Sequence, residues 1–514
     1  MDLFSRRLLQ LLAVDALLVL PFLGGVPLWN IDEGRIAEVA REMGTTGDWL
    51  VPRIGGEPFG SYPPLGYWLM TPSGLLLGWT EFAMRLPLAL AGLGLIAAVA
   101  VLARRLAGDE AGLFAGVVIA TTVGFYSQQV RCRADVLVTL FAVLAFDRFL
   151  VVAGGDKRPR QLVLFYLWMG MGILSKTLVA PAICGMGVLA WMIVHRQWRV
   201  LLDLKPWFGV PAMLAFLSPW YVLVYRAAGW EFLKLNLIGE NVSAFTTAQS
   251  SGHGRPFHFY FGAAPGRLAP WLLFLPFAWM VRRTRGLALG LAWFGLVFAF
   301  LTFSASKRPN YIVYLCPGFA VAAGATLAAL WTDVPARLRA ILLGLGGLAA
   351  VAALIVGFAP IQWHRELTPA LSLFPAFGVV GAALGLVLVG VAALGGARPG
   401  AWTLAGVTVL WLAAFLALVQ PRTDVVGRNA MPFCRRVADA VPATEALRQP
   451  LDADLGGSYH FYLDRTIAKG DGPGWYLATE SQCDQFTARG LRVTTVDSVA
   501  DERGRLKLLV RVSE

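Results

Sequence analysis

Residues 30–43 read Asn30-Ile31-Asp32-Glu33-Gly34-Arg35-Ile36-Ala37-Glu38-Val39-Ala40-Arg41-Glu42-Met43. They follow directly on an apolar run over 8–28, and the next long apolar run begins at 84. Ile36, Val39, Ala40 and Met43 recur at helical spacing and form an apolar stripe; Glu38, Arg41 and Glu42 take the other side. This is the pattern of an amphipathic helix, expected to lie on a bilayer surface with its N-terminus at the mouth of a helix bundle. The acidic first turn then stands where a membrane span meets water.

Outward from this stretch, apolar runs recur near 8–28, 84–103, 111–128, 134–153, 161–177, 178–194, 206–226, 268–281, 286–303, 311–331, 340–358, 370–394 and 401–420. Each approaches the roughly 20 residues that cross a hydrocarbon core as a helix, giving about thirteen spans. Of 514 residues, 57% are apolar and 15% charged, against about 25% charged in a soluble domain. The fold class is therefore mainly α and polytopic. The basic start is followed by an apolar run too long for a signal peptide and without a small-residue cleavage site, so it reads as a retained span.

The formal net charge is +12, and its distribution explains it. Cations gather in alternate loops: Arg104 and Arg105; Arg148, Lys157, Arg158 and Arg160; Arg196, Arg199 and Lys205; Arg282, Arg283 and Arg285; Arg337 and Arg339; Arg398. The positive-inside rule places these loops and the N-terminus in the cytoplasm. The long loops 29–83 and 227–267, and residues 421–514, then fall outside. Membrane lipids account for the basic balance, and no nucleic-acid partner is expected.

Two domains follow: a membrane module over 1–420, and an extracytoplasmic tail over 421–514. In the tail, 433–448 suits an amphipathic helix, and Tyr459 to Leu463 and Leu506 to Val512 read as strands, predicting a small α/β domain. Cys132, Cys184 and Cys316 lie in or beside apolar runs. A single Cys434–Cys483 bridge is open in the tail.

Several residues carry chemistry. Asp32 suits a helix N-cap; it equally suits a carboxylate poised to accept a proton, and the two roles are compatible. Glu33 and Arg35 bring acid and cation to the same turn, which fits a hydroxyl acceptor and a phosphate leaving group. Further on, Gly47-Asp48-Trp49-Leu50-Val51-Pro52 leads to Phe59-Gly60-Ser61-Tyr62-Pro63-Pro64-Leu65-Gly66-Tyr67-Trp68-Leu69. Pro63-Pro64 denies helix before Pro64 and fixes an entry turn to a second, aromatic-rich helix. Lys307 and Arg308 lie at an outer helix end, against the charge rule, and suit a phosphate; headgroup anchoring is the alternative. Arg131, Arg133 and Asp135 open a span, and Lys176 interrupts one; each reads either as a site or as an ion pair. His253 and His258 lack the spacing of a helical metal site. No phosphate-binding Gly-rich loop or nucleophile elbow is present, so a nucleotide-sugar donor is unsupported.

The order Asp-Glu-x-Arg, Gly-Asp-Trp-Leu-Val-Pro and Pro-Pro-Leu-x-Tyr-Trp resembles the first periplasmic loop of the aminoarabinose (lipid A) transferase family. That family stands with the protein O-mannosyltransferases in the GT-C superfamily. Ser218-Pro219-Trp220-Tyr221, Glu240-Asn241 through Phe245, His253 to Tyr260, and Ser306-Lys307-Arg308-Pro309-Asn310-Tyr311 resemble later segments of it. The resemblance covers nearly the whole chain. It implies the GT-C fold, residence in a bacterial inner membrane, and inverting transfer of a sugar from undecaprenyl phosphate to a lipid A-like, glycan or protein acceptor. It casts Asp32, with Glu33 beside it, as the catalytic carboxylate that accepts the acceptor's proton or orients its hydroxyl. Arg35, Lys307, Arg308, Arg131 and Lys176 become donor-phosphate ligands. Asp135 and Glu240 become second acidic contacts, and Tyr62, Pro63, Pro64, Tyr311 and His253 wall the pocket.

Ser61-Tyr62 stands where the family carries Glu-Lys. The pair that would neutralise phosphate and hold a metal ion or amino sugar is thus replaced, which leaves the metal and the sugar open. No cofactor is otherwise implied, and a monomer is expected. A polyprenyl-linked sugar transporter or flippase is the alternative; it predicts mid-membrane charges and paired broken spans, which the sequence reading does not find. A non-catalytic assembly partner is a third reading.

Overall fold

The computed structural model describes residues 1–28, 32–246, 254–268, 271–279, 281, 284–332, 430–442, 444–451, 457–464, 467–500 and 506–514. The expected spans over 340–358, 370–394 and 401–420 lie outside the described residues.

Helix α1 (Leu3–Val19) leads into a 3-10 turn that carries Pro21. The first loop folds as α2 (Asp32–Thr46), a hairpin of β1 (Arg53–Ile54) and β2 (Glu57–Pro58), and α3 (Leu65–Leu77), which begins directly after Pro64. Gly55 and Gly56 turn the hairpin at φ 62° and 83°, angles glycine adopts without steric cost. The bundle continues as α4 (Glu81–Ala107), α5 (Asp109–Thr121), α6 (Val123–Gln129), α7 (Ala134–Ala153), α8 (Pro159–Lys176) and α9 (Val179–His195). A short α10 (Val200–Asp203) precedes α11 (Pro206–Lys234), which runs into a π-helical stretch over Leu235–Ser243 and the single turn α12 (Ala244–Thr246). Then come α13 (Phe259–Arg267), a 3-10 segment over Trp271–Trp279, α14 (Arg285–Phe303), and a 3-10 segment over Pro309–Leu315 that feeds α15 (Cys316–Thr332).

Among the described residues five helices are long and apolar enough to cross a membrane, or six if α5 and α6, bent by 65°, form one broken span. The segment expected as a span over 268–281 is 3-10 rather than α where it is described. The main core joins α4, α5, α7, α9, α14 and α15 through Phe114, Phe146, Phe149, Trp293 and Phe319, all 1% exposed or less. Small residues let these helices meet at backbone distance: a Cβ on Gly324 would stand 2.6 Å from the Ala111 carbonyl oxygen. Such contacts are what drive association where lipid removes the hydrophobic term. Asp15, overlooked in the search for charges within spans, is buried on α1 and accepts the Gln129 amide at 2.7 Å.

The tail holds α16 (Met431–Ala440), β3 (Leu447–Pro450), α17 (Gly457–Leu463), β4 (Ala468–Gly470), β5 (Gly474–Thr479), α18 (Glu480–Ala488), β6 (Arg492–Ala500) and β7 (Leu506–Ser513). Its sheet runs β4-β3-β5-β7-β6, parallel through the first three strands and antiparallel in the rest. The expected strand at Leu506 to Val512 is present, whereas Tyr459 to Leu463, expected as a strand, is helical. A helix lets Tyr459 and Leu463 face the tail core while Phe461 enters the cluster around α2 and α3. Both cysteines of the tail are free. Cys434 packs with Leu477 and Leu509, and Cys483 with Tyr476, Leu508 and Val510. Neighbouring strand residues point to opposite faces, so the sheet itself separates the two thiols and the bridge does not form.

The largest departure concerns α2. Its polar side was expected in water, yet Glu38, Arg41 and Glu42 are 1%, 5% and 7% exposed. Helix α17 covers that side. Arg41 grips Glu38 through two 2.8 Å hydrogen bonds and reaches Asp464 at 3.0 Å. Burial pushes the Glu38 carboxyl up to about 7, against the pull of Arg41.

Candidate active site

Asp32 is the first residue of α2, and its carboxylate bridges two guanidinium groups. Arg133 donates to Oδ2, and Arg308 Nη1 stands 3.6 Å from Oδ1. The Asp32 side chain remains 37% exposed, against 12% for Arg133 and 22% for Arg308. A carboxylate held by fixed cations and still open to the outside can take part in chemistry.

Glu33 cannot play the matching part expected of it. It is 2% exposed and forms a two-pronged pair with Arg85, at 3.1 and 2.9 Å. It also accepts the Cys132 amide at 2.8 Å. Arg85 further donates to the carbonyls of Leu23, Val26 and Pro27 at 2.8, 2.5 and 3.0 Å. Glu33 and Arg85 therefore anchor α2, one residue beyond Asp32, to the loop that follows α1. Arg35 and Arg131 are half-buried. Arg35 lies where α2 meets Gly457 of α17.

On the other side of Arg308, Lys176 ends α8 and donates to Asp135 at 2.6 Å. Of the two readings of Asp135, the ion pair holds, and its partner is Lys176 rather than a neighbouring arginine. Asp135 is 3% exposed and also accepts from the Tyr314 hydroxyl and, at 3.3 Å, from the Asn310 amide. The Lys176 ammonium lies 5.4, 5.1 and 5.9 Å from the rings of Tyr62, Tyr311 and Tyr314. A buried carboxylate behind it and aromatic faces around it fix the direction of the charge.

This group closes one end of a cavity of about 380 Å³. Ser61, Tyr62, Lys176, Thr177, Asn241, Ser306 and Arg308 line it together with an apolar wall of Val179, Ala182, Ile183, Met186, Val297, Phe300 and Leu301. Polar head and apolar wall suit an anion carried on a hydrocarbon chain. Pro63 and Pro64 are buried behind Tyr62, and Pro64 caps α3; they shape the turn rather than line the cavity.

Lys307 departs from its expected role. It is 4% exposed, and its ammonium is taken up by the carbonyls of Ser304 and, at 3.4 Å, Arg255. The pair Lys307-Arg308 straddles the wall, so only Arg308 reaches the cavity. Glu240 lies in the π-helical stretch, but its side chain and the whole of His253 lie outside the described residues. Asn241, next to Glu240, accepts the Thr177 hydroxyl at 2.5 Å and ties that stretch to the cavity rim. Among the described residues no three His, Cys, Asp or Glu side chains gather for a metal ion.

Sequence reasoning passed over Arg85, Asn310, Tyr314 and Arg267, and weighed Arg133 only as a partner of Asp135. Arg267 donates to Ser127 at 3.3 Å. Burial, then the charges of Arg131 and Arg133, push its guanidinium down. Arg133 and Arg308 thus converge on Asp32, and Arg267 and Arg131 add positive charge beside Arg133. Asn310 and Tyr314 follow Arg308 at short spacing, which was the one local signal for them.

The chain is similar to known proteins in sequence and in fold. A family model described as dolichyl-phosphate-mannose-protein mannosyltransferase matches residues 61–223. An undecaprenyl phosphate-alpha-4-amino-4-deoxy-L-arabinose arabinosyl transferase of Aeromonas salmonicida is 32% identical over 69% of this chain and 68% of its own length. The transferase of the same description from an Enterobacter strain is 29% identical, over 56% of this chain and 53% of its own. The crystal structure of ArnT from Cupriavidus metallidurans bound to undecaprenyl phosphate superposes over 98% of this chain and 97% of that one, with TM-score 0.79 and 22% identity. The fold is GT-C. The chain is a multi-pass membrane glycosyltransferase and belongs to the family of undecaprenyl phosphate-alpha-4-amino-4-deoxy-L-arabinose arabinosyl transferases.

Proposed function

We propose that the protein transfers a sugar from an undecaprenyl phosphate carrier to a lipid A-type acceptor by one in-line displacement at the Asp32 turn. The observation that carries this reading is Asp32 bridged by Arg133 and Arg308, with Arg308 facing the same cavity as Lys176. The carrier chain lies along the apolar wall. Its phosphate meets Lys176 and Arg308, and these cations stabilise the negative charge that grows as the sugar departs. The acceptor enters from the open side, where Asp32 orients its hydroxyl or takes its proton. Attack on the face opposite the leaving phosphate inverts the anomeric centre.

The loop charges support a topology with the N-terminus in the cytoplasm and the Asp32 turn outside. The tail touches that turn, so it lies outside too, as a small α/β domain, and about thirteen spans bring the chain there. We read the monomer as the active state. Paired discontinuous spans facing each other, the mark of a transporter, have no counterpart among the described residues: the one bent pair is α5 and α6.

Replacing Asp32 by Asn keeps the shape and removes the base. The purified variant, given labelled undecaprenyl phosphate-linked aminoarabinose and lipid A, is expected to lose transfer by about 10²–10⁴-fold. Wild-type transfer by Asp32→Asn would sink the assignment. A flippase would leave the donor intact and release no undecaprenyl phosphate.

A further inference from the structure

We propose that α17 of the tail is a positioning element of the active site, holding the turn that carries Asp32 in register with Arg133 and Arg308. The inference rests on Asp32 being the catalytic carboxylate. Helix α2 carries Asp32 at its very start, so whatever fixes its first turn fixes the carboxylate. Arg85 fixes that turn from the side of α4, through Glu33 and the carbonyls of the loop that follows α1. From the other side, among the described residues, α17 packs against the turn at Gly34 and Arg35.

The contact is at backbone distance. A Cβ on Gly34 would stand 2.7 Å from the Ser458 amide nitrogen, and one on Gly457 would stand 2.5 Å from the Arg35 Cα and 2.6 Å from the Gly34 carbonyl oxygen. Both glycines are required for this approach. Ser458 is fully buried by it. The far end of α17 is tied as firmly. Tyr462 accepts the Leu28 amide at 2.7 Å and donates to Glu81 at 3.0 Å, linking the loop after α1 to the first residue of α4. Asp464, at φ 49°, meets Arg41. This short helix and the residue after it thus touch Leu28, the two residues that follow Glu33, and the third turn of α2. A tail needed only for solubility or docking has no reason to enter this close to the reacting groups.

Two substitutions on the full-length protein test the idea, with undecaprenyl phosphate-linked aminoarabinose as donor and lipid A as acceptor. Gly457→Ala forces α2 and α17 apart. Tyr462→Phe keeps the ring and removes the hydroxyl, and it decides the matter if Gly457→Ala does not fold. Displacing a catalytic group by about 1 Å costs on the order of 10²-fold. Gly457→Ala is therefore expected to lower kcat by roughly 10- to 100-fold and Tyr462→Phe by several-fold, with donor KM changed little. Phe486→Ala loosens the tail on the other face of its sheet and serves as the control: it lowers the melting midpoint and leaves kcat within about twofold of wild type. Both effects are expected to vanish in an Asp32→Asn background, because residues that act through one group are not additive. Unchanged kcat in both variants overturns the proposal. So does a loss that persists with Asp32→Asn, or that Phe486→Ala reproduces at equal loss of stability. A wild-type protein without transfer activity is a different result, which removes the proposed function itself.

Discussion

Removing Lys176 separates what it does for the fold from what it does for the reaction. Its ammonium lies 2.6 Å from Asp135, whose side chain is 4% exposed. Lys176→Met keeps the length of the stem and leaves that carboxylate with two neutral donors, Tyr314 and Asn310. Breaking a buried pair by deleting one partner costs about 3–5 kcal/mol; the two remaining donors put the expected value at the lower end of that range. Lys176→Met with Asp135→Asn removes both charges and should recover most of the loss. Transfer should not recover. A charge-assisted hydrogen bond contributes about 1.5–3 kcal/mol, which is roughly 10- to 150-fold in kcat/KM when it acts in the transition state. Thermal melting in detergent micelles reads the first quantity, and release of labelled undecaprenyl phosphate reads the second. If the double variant regains both stability and transfer, Lys176 is only the counter-ion of Asp135, and the donor phosphate is held elsewhere.

Arg308→Lys replaces a planar fork by a point charge and should lower kcat/KM by about tenfold with little change in melting, since the side chain is partly exposed; equal rates would remove Arg308 from the phosphate site. Lys307→Gln, one residue away, should leave transfer within about threefold of wild type and cost about 1–3 kcal/mol of stability, because its ammonium serves two backbone carbonyls. A large loss of transfer with intact folding would return Lys307 to the site. Arg85→Met strands Glu33 and three carbonyls, so it should destabilise by about 3–5 kcal/mol or prevent folding. Arg85→Met with Glu33→Leu should recover only part of this, since Leu23, Val26 and Pro27 still lose a donor; full recovery would show that the carbonyl contacts carry no weight.

The parts of the site that sequence made legible are those written in one continuous stretch. The start of α2 at Asp32, the Pro63-Pro64 entry to α3 and the polar interruption at Lys176 are local signals, and each is where it was expected. Partners are not local. Glu33 finds Arg85 52 residues away, and Asp32 finds Arg133 101 residues away. Two adjacent acids of equal chemistry therefore received opposite roles that no spacing rule distinguishes. The same applies to Lys307 and Arg308, where one step along an extended segment turns one cation into the protein and the other into the cavity.

The reading of α2 as a helix lying in water on a bilayer failed for a related reason. A polar helical face implies a polar environment, and water is the default supplier of one. Here the supplier is the chain itself: Asp464, 423 residues from Arg41, completes the ion pair, and Ser458 fills the space above Gly34. Composition does contain a trace of this. Gly34 interrupts the polar face within a helix, where glycine costs about 1 kcal/mol relative to alanine. A residue that weakens a helix in its first turn makes physical sense where another backbone passes, as α17 does over Gly34. Gly457, at the head of the segment that does pass, has the same property. Tyr459 to Leu463, read as a strand, is part of a helix. As a helix it serves two cores at once, and the second of those is the floor beneath Asp32.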